Sequence, residues 1–228
     1  MKVKWGAIVV DGRNKIGGHV ASKNRAGSYF RTKVSPTNPG TSYQVNVRNR
    51  LAGLSTAWRA LSAAQIKAWN TAVPDYTRTD IFGDLRNPSG FNLHQKLNNN
   101  LLNIGQAVIT SPPLPEAIDA FTSVSVAAAE GLQTVTITYA PVIAADHSVL
   151  VFGTPAISPG ISFVKSEFRQ FDVMIAADVS PFAISAEYIA KFGVVGAAGM
   201  QIFIKMVQIN WATGQAGIPI IASCIIAA

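Results

Sequence analysis

The chain has one cysteine, few charges and no apolar run long enough to cross a membrane. Cys224 alone permits no internal disulfide and no cysteine-based metal cage, and we interpret it as an inert core thiol. The longest apolar tract, Ile218–Ala228, is shorter than the ~20 residues that a spanning helix needs. The N-terminus lacks the pattern of a signal peptide, so we expect folding in a reducing cytosol without export.

Charged residues make up only 14% of the chain, against roughly 25% in typical soluble domains. Hydrophobic residues make up 49%. This composition fits a protein whose surface is largely covered by partners. A β domain rich in Ala, Val and Ile would give the same numbers, so both interpretations stay open.

Motifs for catalysis are also missing, including H-E-x-x-H, G-x-S-x-G, a Walker loop and a dinucleotide fingerprint. We expect no catalytic, cofactor-binding or metal-binding residues, and no cofactor. His94 has no motif neighbour and is interpreted as a surface histidine. Asp80 and Asp84 lie close to Arg78 and Arg86 in sequence, which favours surface ion pairs over a carboxylate pair for acid–base chemistry.

The charges that are present are unevenly distributed. Residues 1–110 hold 15 Lys and Arg against 4 Asp and Glu, a net +11, whereas residues 111–228 hold 4 against 8, a net −4. Because unpaired buried charges are costly, the basic half is poorly suited to its own core. It is better suited to lie on nucleic acid or on an acidic protein surface.

Residues 1–40 are rich in glycine, end in a Pro-rich turn, and are predicted to form an extended basic arm with one hairpin. Bases and aromatic residues alternate there, which suits docking on a neighbouring subunit, nucleic-acid binding or a loose solvated tail, in that order. His19 in this arm is a further candidate for partner contact. The predicted partner-binding residues are Lys23, Arg25, Tyr29, Phe30, Arg31 and Lys33.

Residues 41–110 are predicted to form a helical anchoring region of about three helices. The first covers about Thr41–Ala60 and carries an apolar stripe. The second covers about Ala63–Ala72 after a Ser62–Gln65 capping box, and the third covers about Phe91–Ile104. The stripe of the first helix comprises Val47, Leu51, Leu54, Trp58 and Leu61. We expect the first two helices to pack as a hairpin around an anchoring core of Trp58 and Trp69.

Residues 111–116 form a Pro-rich linker, a semi-rigid spacer, and the period then changes from 3.6 to 2. Residues 117–228 are predicted to form a β-sandwich with one helix near Ser185–Phe192. The predicted strands lie near Thr134–Tyr139, Ser148–Gly153, Glu167–Ile175, Gln201–Ile209 and Ile218–Ile226. The predicted fold class is therefore α+β: an extended basic arm, a small helical region and a C-terminal all-β sandwich.

Several segments resemble a family of structural proteins encoded by tailed bacteriophages and prophages. They are Ser22–Arg31, Val34–Pro39, Leu54–Gln65, Ser89–Leu93 and Thr154–Gly160. The resemblance covers most of the chain and implies a virion component. Phe203–Asn210 followed by Thr213–Gln215 is similar to the penultimate strand and final hairpin of a fibronectin-III or immunoglobulin-like domain.

We therefore expect a non-enzymatic virion protein, either an auxiliary capsid (decoration) protein or a head–tail neck component, assembled in the bacterial host cytoplasm. It would dock through its basic arm and helical hairpin. The expected partners are major capsid or neck and portal proteins and further copies of itself, with nucleic acid as another partner of the arm and no membrane. The alternatives are a DNA-binding packaging accessory and a host-surface adhesion module.

Overall fold

The computed structural model describes residues 1–6, 12–24, 27–35 and 37–228. It is a mixed α+β fold, as predicted, with most strand residues in the C-terminal half. The helices are α1 (Ser42–Ala60), α2 (Ala63–Thr71), α3 (Gly90–Asn103) and α4 (Ser185–Phe192), with a 3-10 turn at Val73–Tyr76. The strands are β1 (Lys2–Val3), β2 (Asn14–Ile16), β3 (His19–Asn24), β4 (Gly27–Thr32), β5 (Arg78–Thr79), β6 (Leu85–Arg86), β7 (Ser123–Ala129), β8 (Thr134–Ala140), β9 (His147–Gly153), β10 (Arg169–Ile175), β11 (Phe182–Ala183), β12 (Gln201–Asn210) and β13 (Ile220–Ile225).

The N-terminal strands form an antiparallel sheet in the order β1-β4-β3-β2, not the extended arm that the sequence predicts. Six residue pairs join β3 to β4, from His19 opposite Thr32 to Asn24 opposite Gly27. Gly17 has a φ of 58°, a left-handed conformation that permits the tight connection between β2 and β3. The strands β1 and β2 are too short to give a periodic signal in the sequence.

Helix α1 begins as predicted, because the Thr41 hydroxyl accepts a hydrogen bond from the backbone N–H of Gln44. The predicted stripe is buried only at Leu54, and Val47 and Leu51 are 48% and 56% exposed. The reason is length: at 1.5 Å per residue, α1 is roughly 28 Å long and the fourteen-residue α3 beside it only about 21 Å. The N-terminal half of α1 therefore lies at the surface.

The predicted hairpin of α1 and α2 is wrong, because each of these helices packs mainly against α3 and not against the other. The start of α2 and the burial of α3 follow the sequence. The Ser62 hydroxyl accepts from the N–H of Gln65, and the Gln65 side chain accepts from the N–H of Ser62, so the capping box is confirmed. On α3, Leu93 and Leu97 are buried against Trp69 of α2 in one small core. Helices α2 and α3 are therefore fixed by both capping and burial.

The Pro-rich linker is held on both sides. The Tyr76 hydroxyl donates to the carbonyl of Pro113 (2.9 Å). From the C-terminal half, the Gln215 amide donates to the carbonyl of Leu114 (2.7 Å) and accepts from the N–H of Glu116 (2.9 Å). The linker is therefore a bonded segment of the fold and not a free spacer.

The turn after β12 also contacts α3 directly. Asn100 donates from its side-chain amide to the carbonyl of Gly214 (2.8 Å). Gly214 has a φ of 67°, and a Cβ there would lie 2.3 Å from the carbonyl oxygen of Leu97. Only glycine fits this close approach between the helical region and the C-terminal half.

The C-terminal half consists of two antiparallel sheets that share one hydrophobic core. The strand orders are β11-β8-β7 and β10-β9-β12-β13. Val135, Ile137 and Tyr139 of β8 are buried in this core, as their alternation predicts, together with Ile204 of β12. Helix α4 forms where the sequence predicts it and adds Tyr188, so this half is not purely β.

Candidate functional site

The predicted partner-binding residues lie on the N-terminal sheet, and alternation divides them between its two faces. Lys23 is on β3 and Phe30 on β4, and the register places both on one face. Tyr29 and Arg31 of β4 lie on the opposite face. Arg25 lies outside the described residues. Lys33 follows the end of β4.

The first face, which we call the packed face, carries the sheet's own small core. Phe30 meets Trp5 edge to face, with ring centroids 5.5 Å apart. Ala21, directly opposite Phe30, is buried. The contacts of Phe30 are therefore internal to the sheet, while Lys23 is exposed at the end of β3.

The second face, which we call the cationic face, presents Lys15, Tyr29 and Arg31. The register places Lys15, Val20 and Arg31 in a row across three strands, so the two cationic residues lie about 10 Å apart. Lys15, Arg31 and Lys33 are exposed, and the structure of residues 1–6, 12–24, 27–35 and 37–228 gives none of them an ion-pair partner. Their positive charge is available to a partner.

At the other edge of the sheet, the first two lysines are used within the chain. Lys2 Nζ lies 3.4 Å from Asp80 Oδ2, and Lys4 Nζ lies 2.9 Å from Asp84 Oδ2. Arg86 contacts both carboxylates, at 3.3 Å and 3.4 Å. The predicted pairing with Arg86 is thus confirmed, but the Asp80 side chain is buried and not at the surface, and Arg78 has no ion pair among the described residues. The network also attaches the N-terminal sheet to the β5–β6 hairpin.

The Asp80 carboxyl is the centre of this network. Burial alone would raise its pKa, but the N–H of Phe82, the Arg86 guanidinium, the N–H of Asp84 and the Lys2 ammonium all bond it. Together these bonds outweigh burial and lower the pKa of Asp80 to about 2. The carboxylate therefore stays charged well below the pH at which an ordinary aspartate takes up a proton.

The predicted anchoring core is present, but a third ring lies inside it. Trp69 is fully buried and Trp58 partly buried, and the His94 ring meets each of them edge to face at 5.2 Å and 5.3 Å. The interpretation of His94 as a surface residue is wrong, because the ring is 0% exposed. Burial lowers its pKa, and neither ring nitrogen has a hydrogen-bond partner within the described part of the chain.

The outward side of the sheet β10-β9-β12-β13 carries several apolar residues. The register places Phe152, Lys205 and Ile221 side by side across β9, β12 and β13, and Ile221 and Ile225 are largely exposed. Lys205 Nζ lies over the rings of Phe152 (4.2 Å) and Phe168 (4.8 Å), and burial lowers its pKa. The side of an antiparallel sheet that meets water normally carries polar residues, so these exposed apolar residues are suited to contact with protein.

The sequence predicted Arg31 and Lys33 as contact residues but not Lys15, and it did not predict the ion pairs of Lys2 and Lys4. The sequence signal for their pairing is weak: two lysines with the period of a strand, and two acids four residues apart in a loop. It also missed Gln95 of α3, whose amide is buried and unpaired among the residues described. An amide within an otherwise polar helix turn gives no sign of burial.

Cys224 is partly buried against the C-terminal core, and burial raises the pKa of its thiol, as expected for an unreactive thiol. In the described residues, no group of three or more His, Cys, Asp or Glu is placed to hold a metal ion. No helix in that part of the chain combines the length and apolarity needed to span a membrane. No protein-family model, curated protein or solved structure matches this chain.

Proposed function

We propose that this protein is a non-enzymatic structural component of a tailed-bacteriophage particle, attached through its N-terminal sheet and helical region. The observation that carries the proposal is the division of the N-terminal charges. Lys2 and Lys4 bond Asp80 and Asp84 within the chain, whereas Lys15, Arg31 and Lys33 remain exposed. A sheet that is fixed at its β1 edge, and that carries exposed cations from β4 to the opposite edge strand β2, can orient an acidic partner surface.

Among the described residues, β2 is an edge strand of the same sheet, and this edge supports the proposal. All three residues of the edge strand β2 are exposed, including Ile16. An exposed edge with unpaired backbone groups can add a strand from a neighbouring subunit. In such a complex the cations mainly set orientation and association rate, while backbone bonds and apolar contacts supply most of the affinity.

The strand order supports the finer proposal for the C-terminal half, a fibronectin-III or immunoglobulin-like sandwich. Seven antiparallel strands lie in one sheet of three and one of four around a common core. Its apolar outer face is then available for packing against copies of the chain or another capsid or neck protein. Nuclear Overhauser contacts between core residues of β8 and β12 would test this arrangement.

The test of particle attachment uses charge reversal on the cationic face. Arg31→Glu should abolish incorporation into particles of the encoding phage, as measured by quantitative mass spectrometry of purified, nuclease-treated particles. Lys165→Glu is the matched control, because Lys165 is an exposed cation in the C-terminal half, outside both the sheet and the helical region. Normal incorporation of Arg31→Glu would refute docking through this face, and absence of the wild-type chain from particles would refute the virion assignment.

A nucleic-acid role is the second candidate, and one observation favours it. Tyr29 lies on the same face as Lys15 and Arg31, an aromatic ring beside cations, as in single-strand binding surfaces. DNA affinity that falls steeply with salt, with a shallower slope in Arg31→Glu, would replace particle docking with a packaging role.

A further inference from the structure

A groove of ≈1060 Å³ lies between α1, the β5–β6 hairpin and α3. Its apolar lining includes Val47 and Leu51 from the half of α1 that extends beyond α3, together with Leu85 of β6. All three side chains are substantially exposed, so this part of the helical region is incompletely covered by the fold itself.

The same groove contains a buried side-chain amide without partners. Gln95 of α3 lines the groove and is only 9% exposed. Neither its Oε1 nor its Nε2 has a hydrogen-bond partner among residues 1–6, 12–24, 27–35 and 37–228. Buried amides are nearly always bonded, because an unpaired donor or acceptor disfavours the folded state. An occupant that bonds Gln95 would remove this penalty.

The charge of the groove identifies the kind of occupant. Arg78 and Lys96 are exposed in its wall, and neither has an ion-pair partner in the part of the chain that the structure describes. The third cation, Arg86, bonds Asp80 and Asp84. Since the lining residues include no carboxylate, the groove complements an acidic ligand.

We propose that this groove binds an extended, acidic peptide segment of a partner protein. On binding, the Gln95 side chain turns its buried amide into the groove and bonds one backbone peptide group, which offers one donor and one acceptor just as the amide does. Apolar side chains of the segment lie on Val47 and Leu51, and its carboxylates lie at Arg78 and Lys96. The proposal depends on the proposed function only in taking the partner to be a protein.

A nucleic-acid occupant fits the lining less well. Base stacking needs open aromatic faces, and the groove has two aromatic residues, Tyr76 and Phe91. The Tyr76 hydroxyl is bonded to Pro113, and Phe91 meets Trp58 edge to face at 5.7 Å. The remaining apolar lining is aliphatic, which suits peptide side chains.

The experiment is a display selection of random twelve-residue peptides against the full chain, followed by fluorescence anisotropy on the recovered peptides. Recovered peptides should be enriched in Asp and Glu next to aliphatic residues. Gln95→Leu should weaken their binding by about tenfold while leaving thermal stability equal or higher, because it removes the unpaired amide. Lys96→Gln should weaken binding several-fold, whereas Lys67→Gln, the same change on α2, should not.

Three results would overturn the proposal. They are failure of the selection to enrich any peptide, equal binding by wild type and Gln95→Leu, and a lower stability of Gln95→Leu, which would give Gln95 a structural role. Binding of dT12 that is lost in Lys96→Gln would assign the groove to nucleic acid instead. A failed selection together with loss of incorporation in Arg31→Glu would reject this groove but retain the proposed function.

Discussion

The burial of His94 between Trp58 and Trp69 predicts that acid destabilises the helical region well above the pH at which carboxylates titrate. Because burial lowers the pKa of His94, the ring stays neutral in the folded chain. In the unfolded chain the ring takes up a proton below its ordinary pKa of about 6.5. The unfolded state then binds more protons than the folded state, so stability decreases as the pH decreases.

The size of the effect follows from linkage. Below pH 6.5 the free energy of unfolding should decrease by up to about 1.4 kcal/mol per pH unit until the folded pKa is reached. Between pH 8 and pH 5 the total loss is therefore at most about 2 kcal/mol. His94→Leu loses two edge-to-face contacts worth ~0.5–1.5 kcal/mol each, and removes unpaired nitrogens whose burial costs about 1–3 kcal/mol. At pH 8 the variant should thus be within about 2 kcal/mol of wild type.

The assay is urea unfolding at pH 8, 7, 6 and 5, followed by tryptophan fluorescence, for wild type and His94→Leu. Other titrating groups cancel in the difference between the two proteins. The wild-type curve should decline relative to the variant below pH 6.5, and the His94 Cε1–H resonance of the folded protein should titrate at a lower pH than in the unfolded chain. Parallel stability curves, or a folded-state titration of His94 near its ordinary pKa, would refute the reasoning.

Three other predictions concern the contact of Gly214 with α3, the ion-pair network around Asp80, and Asn98 of α3. Gly214→Ala should lower the free energy of unfolding by more than Gly105→Ala. Gly105 has a similar φ of 75°, but a Cβ there meets no neighbour, so its substitution costs only about 1–2 kcal/mol. Equal melting temperatures of the two variants would contradict the close approach at Gly214. Asp80→Asn should increase hydrogen exchange in β4 but not in β12. In wild type the protection of β4 from hydrogen exchange should be complete above pH ~4 and lost as the pH falls through about 2, because the network stabilises only the charged form of Asp80. Unchanged exchange in both experiments would mean that the network does not hold the sheet. Asn98→Leu removes the buried side chain that bonds both the N–H and the carbonyl of Ile109, and should destabilise by about 1–3 kcal/mol in chemical denaturation; wild-type stability would show that these bonds contribute nothing.

The elements with strong local signals were predictable from the sequence. The capping box at Ser62 and Gln65 placed the start of α2, and the alternation of Val135 and Ile137 placed β8. Strand β7 (Ser123–Ala129) was missed because its Ala and Ser residues give little contrast between faces. Such short side chains pack adequately in a sheet, but they give no clear alternation of apolar and polar residues in the sequence.

The site was less predictable because its contacts are distant in the chain. Lys2 bonds Asp80 across 78 residues, and no local pattern encodes that pairing. A search for apolar stripes passes over His94, although an uncharged imidazole packs edge to face against tryptophan much as a phenyl ring does. The exposure of Val47 and Leu51 depends on the length of the neighbouring helix α3, which periodicity within α1 does not report.

The turn after β12 determines how the chain carries mechanical load. Gln215 bonds the linker at Leu114 while its neighbour Gly214 bonds α3 through Asn100, so tension on β12 reaches the helical region directly. The proline-rich linker joins the same two halves through the chain itself, so it can extend only after the bonds at Gly214 and Gln215 break. The bonds at Gly214 and Gln215 therefore make the two halves of the chain resist stretching together.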